Sequence, residues 1–314
     1  MRVLVIAARI VGHRCLEAML EAGAEVSALL YLDDSKAGVT VAHSEFADLI
    51  AKYRLNARAF ASLKGDEGAR HLAFASDAEP DLGIVVGVSE LVPPEMLALP
   101  AKGFIGMHPT LLPEGRGRAP IPWALIHDLK QTGVTLFYAD PGVDTGDILD
   151  QEILTVFDDD TAPILGARTD DAACRLFVKN LPLLANGTAA RRKQDGGKAT
   201  YWPRRKPQDG LIDWRKDSRA LYNWVRALTR PYPGAFAFHR GRKLFVWQAE
   251  DSRRPAKGAP GQIIALEGGN ALVATGSGAL LLTRVQWEGG DDCAPEDAGL
   301  EPGMSFDGAL AEAI

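Results

Sequence analysis

Short apolar runs alternate with amphipathic helical patterns through the first half of the chain, and this alternation most restricts the possible folds. Residues 3–7 and 25–31 are rich in aliphatic and β-branched side chains, as buried strands are. Between them, residues 15–21 place apolar side chains at helical spacing, and Gly23 ends the predicted helix. A strand, a helix and a second strand in this order predict a βαβ unit, and hence an α/β domain with a mostly parallel sheet.

The alternation continues further along the chain. Strands are predicted at residues 82–88, 103–107 and 133–139, and helices at 120–129 and 170–184. The apolar run 82–88 indicates a central parallel strand with function only at its carboxyl end. Pro182 is expected to kink the last helix or end it early. Residues 7–12, AARIVG, lack the glycines that a dinucleotide diphosphate requires, which argues against a nicotinamide cofactor.

The last third of the chain reads as a small β domain that follows a basic linker. Residues 186–210 are rich in Gly, Lys and Arg, and they form either a solvated linker or a surface for tRNA or a nucleotide diphosphate. A helix is predicted at 217–228. Five short strands are predicted at 235–239, 243–249, 261–266, 271–275 and 279–285, which suggests a small open barrel. The predicted domains are therefore 1–185 and 211–314, joined by the linker 186–210.

Composition is typical of an ordinary cytoplasmic enzyme. The 314 residues carry a net charge of −6, which gives no global sign of nucleic-acid binding. No apolar run approaches the roughly 20 residues of a membrane span, and residues 1–8 are too short for a signal peptide. The three cysteines have no metal-type spacing and fit a reducing compartment, where buried packing is their expected role.

Residues 103–150 contain the side chains best suited to catalysis. His108 follows the predicted strand 103–107, and Asp144 lies in the glycine-rich loop PGVDTGD after the strand 133–139. A His–Asp pair can accept a proton at neutral pH, because the carboxylate orients the imidazole and favours its charged form. The alternative is a core histidine and an unrelated surface aspartate. Loops at the ends of adjacent strands, where α/β sheets place chemistry, favour the paired interpretation.

The sequence HPTLLPEGRGRAPIPWAL, followed by TGVTLFYADPGVDTGDIL, resembles the signature of the folate-dependent formyltransferases. This family includes methionyl-tRNA formyltransferase, glycinamide ribonucleotide formyltransferase and the sugar N-formyltransferases. The opening MRVLVIAARIVGHRCLEAMLEAG resembles the first strand and helix of the family. The segment GLIDWRKDSRALYNWVRALTRPYPGAFAFHRGRKLFVWQAE resembles the C-terminal domain of its tRNA and aminoarabinose branches. The resemblance implies a Rossmann-like catalytic domain with a mostly parallel sheet, and a C-terminal OB-like β-barrel.

The family uses an Asn-x-His motif and a downstream Asp. The resemblance therefore implies that His108 takes the proton from the attacking amine and that Asp144 tunes His108. The family Asn stabilises the oxyanion of the tetrahedral intermediate, and its position falls on Gly106. A lost oxyanion donor typically costs about 2.7–4 kcal/mol, or roughly 100- to 1000-fold in rate.

Three explanations of Gly106 are open. A backbone N–H near Gly106 or a water could donate instead, or another side chain could reach in. The third is that the protein is slow, transfers a different one-carbon group, or only binds. Compensation is favoured, because the rest of the site pattern is intact.

The resemblance further implies that 10-formyl-tetrahydrofolate is the formyl donor and that no metal is required. The cofactor-binding residues are expected to be Glu90, Leu91, Val92, Thr110, Leu111, Leu112, Pro113, Arg118, Asp140, Pro141, Gly142 and Val143. Arg116, in the loop that follows His108, could hold an anionic part of the acceptor. His13 and Arg14 either face the substrate or form the exposed start of the first helix.

The expected acceptor is the primary amine of a nucleotide-linked amino sugar, a type of substrate associated with lipopolysaccharide biosynthesis. The tRNA branch of the family carries a Lys- and Arg-rich insertion after the second strand, whereas this chain has only Lys36 there before Lys52. Trp123 also resembles the amino-sugar branch. Methionyl-tRNA is the alternative acceptor. An alternative of another class follows from Gly106: the chain would be a folate- or nucleotide-binding protein with low or altered one-carbon transfer. A homodimer is compatible with each of these hypotheses.

Overall fold

A mostly parallel sheet of apolar strands organises the first part of the chain. Its elements follow one another as β1 (Arg2–Ala7), α1 (Arg9–Glu21), β2 (Glu25–Leu32), α2 (Ala47–Tyr53), β3 (Ala57–Phe60), α3 (Gly65–Asp77), β4 (Leu82–Val86), α4 (Pro94–Leu97), β5 (Phe104–His108), β6 (Arg116–Gly117), α5 (Pro120–Ile126), β7 (Gln131–Tyr138), β8 (Ile148–Thr155), α6 (Ala162–Asn186) and β9 (Tyr201–Trp202). The strand order is β3-β2-β1-β4-β5-β7-β8. Strands β1 to β5 pair in parallel, and β7 and β8 join them antiparallel. This topology confirms the predicted α/β, Rossmann-like fold.

Strand β1 is buried on both faces and divides the core into two apolar clusters. Val3 and Val5 pack with side chains of α1 and α6 on one face. Leu4 and Ile6 pack with side chains of β3 and α3 on the other. Because successive strand residues point to opposite faces, one short apolar run supports both layers of helices.

The computed structural model describes residues 1–307, so residues 308–314 of the predicted C-terminal domain lie outside the described part. The chain divides into two compact units. The N-terminal unit contains Met1–Pro120, Gln131–Thr155 and Ala167–Pro203. The C-terminal unit contains Ile121–Lys130, Val156–Gly166 and the chain from Arg204 onward. The part of the predicted linker that precedes Arg204 therefore packs with the N-terminal unit.

The helices differ from the predictions mainly at their ends. Helix α1 begins at Arg9 rather than at residue 15, and α5 ends at Ile126 rather than at residue 129. Helix α6 continues past Pro182 to Asn186, so the prediction that proline ends it early is wrong. Leu181 and Leu184 lie in the apolar core, and their burial outweighs the local cost of the proline.

The C-terminal unit contains the separate β domain that the sequence predicts. Helix α7 (Ser218–Leu228) begins after Asp217, whose side chain accepts a hydrogen bond from the N–H of Ala220 at 2.8 Å. The strands are β10 (Ala235–His239), β11 (Arg242–Asp251), β12 (Ile263–Glu267), β13 (Asn270–Ala274), β14 (Ala279–Trp287) and β15 (Asp292–Cys293). They form an antiparallel sheet in the order β10-β11-β14-β13-β12, and β15 pairs with β14. Across residues 1–307, no helix has the length and apolarity needed to cross a membrane.

Candidate active site

His108 ends strand β5 and is buried. Its Nε2 lies 2.8 Å from the carbonyl oxygen of Gly115. A carbonyl oxygen can only accept a hydrogen bond, so Nε2 carries the hydrogen and the neutral ring has its lone pair on Nδ1. The turn that contains Gly115 therefore selects the tautomer, and Nδ1 is the atom of His108 that can accept a proton.

Asp144 approaches Nδ1 from the loop after β7. Its Oδ2 lies 3.5 Å from Nδ1 of His108 and accepts a hydrogen bond of 2.9 Å from the backbone N–H of Gly117. The backbone of Asp144 is left-handed, with φ of +55°. Gly117 has φ of +106°, and a Cβ there would lie 2.5 Å from the carbonyl oxygen of Trp202. A glycine is thus required at the point where the two loops meet, and the predicted His–Asp pair is brought together.

Gly106 lies directly opposite Phe137 in the pairing of β5 with β7. The Phe137 ring covers Gly106, because a Cβ at position 106 would lie 2.7 Å from Cζ and 3.0 Å from Cε1 of that ring. Phe137 is only 7% exposed. An aromatic ring therefore fills the space of a side chain at position 106. The sequence analysis did not predict that a large ring at position 137 faces the glycine at position 106, although opposite residues on paired strands are expected to adjust to each other in size.

Two cavities of the N-terminal unit share Leu91 and Val92 in their walls. The smaller, about 90 Å³, is lined by Gly106, Phe137 and Asp144 among others. It also contains five of the predicted cofactor residues: Glu90, Leu91, Val92, Asp140 and Gly142. The larger, about 440 Å³, lies between Leu91, Val92, the start of α3 and Pro141, another predicted cofactor residue.

The remaining predicted cofactor residues lie in the two loops that flank the His–Asp pair. Thr110 is buried, and its hydroxyl donates to the carbonyl oxygen of Glu114 at 2.8 Å. The N–H of Leu112, also buried, donates to Oγ1 of Thr135 at 3.1 Å. These bonds shape the turn after β5. The half-buried or exposed members of the set are Leu111, Pro113, Arg118 and Val143. Their role in binding a cofactor stays a prediction.

Arg116, expected to hold an anion, is 6% exposed and makes its polar contacts within the protein. Its guanidinium donates to Oε1 of Gln194 and to the hydroxyl of Tyr201, each at 2.7 Å. Both partners belong to the predicted linker. Nearby, the Arg191 guanidinium holds the pKa of Asp147 below its ordinary value. The first part of the linker is therefore bound to the loop that follows His108 and to the loop that carries Asp144, rather than crossing the surface as a free segment.

His13 and Arg14 lie on the second turn of α1 rather than at its start, because the helix begins at Arg9. Nε2 of His13 lies 3.0 Å from each carboxylate oxygen of Asp48. The Arg14 guanidinium pairs with the carboxylate of Asp171. Both predicted substrate residues thus have carboxylate partners within the N-terminal unit.

A second polar cluster lies between α1 and α6. The Sγ atoms of Cys15 and Cys174 are 3.6 Å apart. The hydrogen bond from Cys15 lowers the pKa of Cys174, whereas the same bond and burial raise the pKa of Cys15. Burial also raises the pKa of Asp170 to about 6. Cys15 packs in the apolar core, as the sequence predicts.

Two family models match the chain in series. The model described as "Formyl transferase" matches residues 3–181, more than half of the chain, and "Formyl transferase, C-terminal domain" matches residues 204–299. The chain belongs to the formyl transferase family. The predicted family is confirmed, and this formyltransferase is an enzyme of one-carbon group transfer.

Relatives of the formyltransferase differ in the acceptors that their names print. A methionyl-tRNA formyltransferase from Pelotomaculum thermopropionicum is 34% identical over 277 residues, which are 87% of each chain. An N-formyltransferase from Helicobacter canadensis, solved with folinic acid and dTDP-3-aminofucose, matches with a TM-score of 0.69 at 18% identity. This match covers 89% of this chain and 98% of the Helicobacter chain. HypX from Aquifex aeolicus, solved with tetrahydrofolic acid, has a TM-score of 0.66 at 18% identity. The match covers 95% of this chain but 46% of HypX, and both structural likenesses show a shared fold.

Proposed function

We propose that this formyltransferase transfers a formyl group from 10-formyl-tetrahydrofolate to a primary amine, with His108 as the proton acceptor. The observation that carries the proposal is the approach of Nδ1 of His108 to Oδ2 of Asp144 at 3.5 Å. A general base must lie within hydrogen-bond reach of the proton that it removes. Asp144 lines the smaller cavity together with Gly106, and Nδ1 of His108 lies 3.5 Å from Asp144, so we place the amine and the formyl group at this end of the cavity.

The bonding of His108 determines which atom takes the proton. The acceptor amine must arrive neutral, and the proton that it loses on attack passes to Nδ1, because Nε2 already donates to Gly115. The ring is then positively charged and faces the carboxylate of Asp144, which the N–H of Gly117 holds in place. The bond between the formyl carbon and the donor nitrogen then breaks, and His108 returns its proton to that nitrogen, so that tetrahydrofolate leaves neutral and His108 is regenerated.

The negative charge that develops on the formyl oxygen requires a donor other than a side chain at position 106. The Phe137 ring covers Gly106 and has no hydrogen to donate. A backbone N–H of the cavity wall or a water is therefore assigned this role. Such donors serve in oxyanion sites when they are fixed before the reaction.

The two cavities support folate as the donor. The larger has a volume of about 440 Å³, which lies within the range of small-molecule sites. Leu91 and Val92 give both cavities apolar walls suited to a flat ring. The Glu90 carboxylate holds this loop by accepting hydrogen bonds from the Ser62 hydroxyl and the Leu63 N–H, at 3.0 and 2.9 Å.

A nucleotide-linked amino sugar is the acceptor that we favour. The segment after β2 begins with Asp33 and Asp34, and Nε2 of His43 lies 2.9 Å from the Asp34 carboxylate. Such an acidic segment is poorly suited to the phosphates of tRNA. The structural likeness to an N-formyltransferase solved with a nucleotide-linked amino sugar also supports this acceptor. The proposal includes a cytoplasmic location, which three free cysteines support.

Methionyl-tRNA is the second candidate acceptor. It is favoured by the 34% identity to a methionyl-tRNA formyltransferase over 87% of both chains. The basic residues between 191 and 206 would then serve as phosphate contacts, and binding would weaken steeply with salt.

The test measures release of tetrahydrofolate from 10-formyl-tetrahydrofolate with a panel of UDP-, GDP- and dTDP-linked amino sugars, and with methionyl-tRNA alongside. Turnover that depends on one amino sugar supports the favoured acceptor, and turnover with methionyl-tRNA alone supports the second. His108→Ala is expected to abolish transfer while folate affinity stays within about threefold, whereas the control His239→Ala keeps wild-type turnover. Transfer that survives in His108→Ala contradicts the mechanism.

A further inference from the structure

The segment 192–202, between α6 and the C-terminal unit, holds both catalytic loops. At its start, Arg192 exchanges backbone hydrogen bonds with Ile148, at 2.9 and 2.7 Å. At its end, Oγ1 of Thr200 accepts from the N–H of Gly115 at 2.8 Å, and Tyr201–Trp202 pairs with Arg116–Gly117 as strands β9 and β6. The carbonyl that selects the His108 tautomer and the N–H that holds Asp144 therefore both lie on backbone fixed by this segment.

Gln194, the third residue of the segment, joins the two loops through one amide group. Its Nε2 donates to the carbonyl oxygens of Asp144 and Gly146, at 2.8 and 2.7 Å. Its Oε1 accepts from Nη2 and Nε of the buried Arg116, at 2.7 and 3.2 Å. Oε1 accepts two hydrogen bonds and the two hydrogens of Nε2 are both donated, so the amide is well satisfied and its orientation is fixed.

These bonds act on the backbone of the catalytic carboxylate itself. Asp144 is left-handed, a conformation that costs free energy for a residue other than glycine and persists where its surroundings impose it. The amide of Gln194 holds carbonyls within this turn. Loss of both bonds would let the turn relax, and Oδ2 of Asp144 would move away from Nδ1 of His108.

We propose that Gln194 is a positioning residue that holds Asp144 against His108. The inference rests on the proposed function for its effect on rate, but the geometry it assigns can be tested without turnover. A misplacement of about 1 Å can cost on the order of 100-fold in rate, so a bond remote from the acceptor can act on kcat.

Gln194→Leu keeps the size of the side chain and removes all four hydrogen bonds. We expect kcat to fall roughly 10- to 100-fold while KM for donor and acceptor changes by less than about threefold. In an Asp144→Asn background, Gln194→Leu should lower kcat by less than about twofold more, because the carboxylate that it positions is already gone. Gln194→Glu, which keeps an acceptor for Arg116 but removes the donors to the loop, should resemble Gln194→Leu. Gln131→Leu, at an exposed position, is the matched control and should keep wild-type kinetics.

The second readout is the NMR chemical shift of the His108 ring nitrogens at one fixed pH in wild type, Asp144→Asn, Gln194→Leu and Gln131→Leu. Because Nδ1 lies 3.5 Å from the Asp144 carboxylate, its resonance should move in the same direction in Gln194→Leu as in Asp144→Asn, and should stay unchanged in Gln131→Leu. An unchanged Nδ1 resonance in folded Gln194→Leu overturns the positioning role, as does a loss of kcat that multiplies with the loss in Asp144→Asn. If the wild type transfers formyl to no acceptor but the resonances move as expected, the proposed function fails and the positioning role stands.

Discussion

Gly106→Asn introduces the residue that the family resemblance implies at this position, and the structure predicts that this single change harms the protein. An added Cβ would lie 2.7, 3.0 and 3.2 Å from three atoms of the Phe137 ring. Phe137 is 7% exposed and lines the smaller cavity, so its ring can move aside only by filling that cavity or by displacing buried neighbours. Overpacking of this kind typically costs about 1–3 kcal/mol. At about 2–4 °C per kcal/mol for a domain of 150–250 residues, the melting temperature should fall by roughly 2–12 °C.

The rate of tetrahydrofolate release should not rise in Gly106→Asn, because the ring occupies the space that the amide needs. Gly106→Asn/Phe137→Ala opens that space. The double variant should be less destabilised than the sum of its single variants by about 0.5–3 kcal/mol. If the added amide reaches the formyl oxygen, transfer should be up to about 100- to 1000-fold faster than in Phe137→Ala alone. Thermal melts and initial rates of the three variants and wild type measure both effects. A stable, faster Gly106→Asn single variant would refute the reasoning, as would strictly additive stabilities.

Three further predictions concern stability and reactivity. Burial raises the pKa of Asp170 to about 6 from an ordinary 3.8, so the contribution of this group to the free energy of unfolding is complete below about pH 4 and is lost as pH rises through 6. Asp170→Asn should therefore be more stable than wild type at pH 7.5, by up to about 3 kcal/mol. At pH 3.5 the two proteins should be equally stable, and urea melts at both pH values measure the difference. Limiting N-ethylmaleimide at pH 7 should label Cys174 first, then Cys293, and Cys15 last, because burial raises the pKa of Cys293 and the pKa of Cys15 is raised further by its bond to Cys174 and by burial. Peptide mass spectrometry that found Cys15 labelled first would contradict this order. Asp217→Ala, which removes the cap of α7, should cost about 1 kcal/mol, and no change in the melt would show that the cap is replaced.

Much of the fold followed from local patterns. The strand predicted at residues 235–239 coincides with β10, and the predicted helix 217–228 differs from α7 by one residue at its start. The antiparallel edge strand β8 was not predicted, because its apolar and polar residues do not alternate regularly. Of the two outcomes predicted for Pro182, a kink or an early end, the early end was wrong, because tertiary burial of its neighbours outweighed a local preference.

Some residues of the candidate site could be predicted from the local sequence, whereas others depend on contacts between distant segments. His108 and Asp144 stand out in the sequence because prolines and glycines shape the loops around them. Arg116 was expected to hold an anion, but a side chain's direction depends on its neighbours, and this one is buried against the segment 192–202. Gln194 gave no signal, because a lone polar residue 50 positions from Asp144 belongs to no pattern.

By itself, the sequence determined most of the alternation of strands and helices, the family, and the choice of His108 and Asp144 as the predicted proton-accepting pair. These depend on apolar spacing and on backbone preferences that act over a few residues. Only the tertiary structure decided that Nε2 of His108 bonds to Gly115 while Nδ1 lies beside Asp144, that Phe137 covers Gly106, and that Gln194 bonds to both loops. These contacts depend on strand register and on hydrogen bonds between distant segments. A one-residue change in the pairing of β5 with β7, for example, would have turned Phe137 away from Gly106.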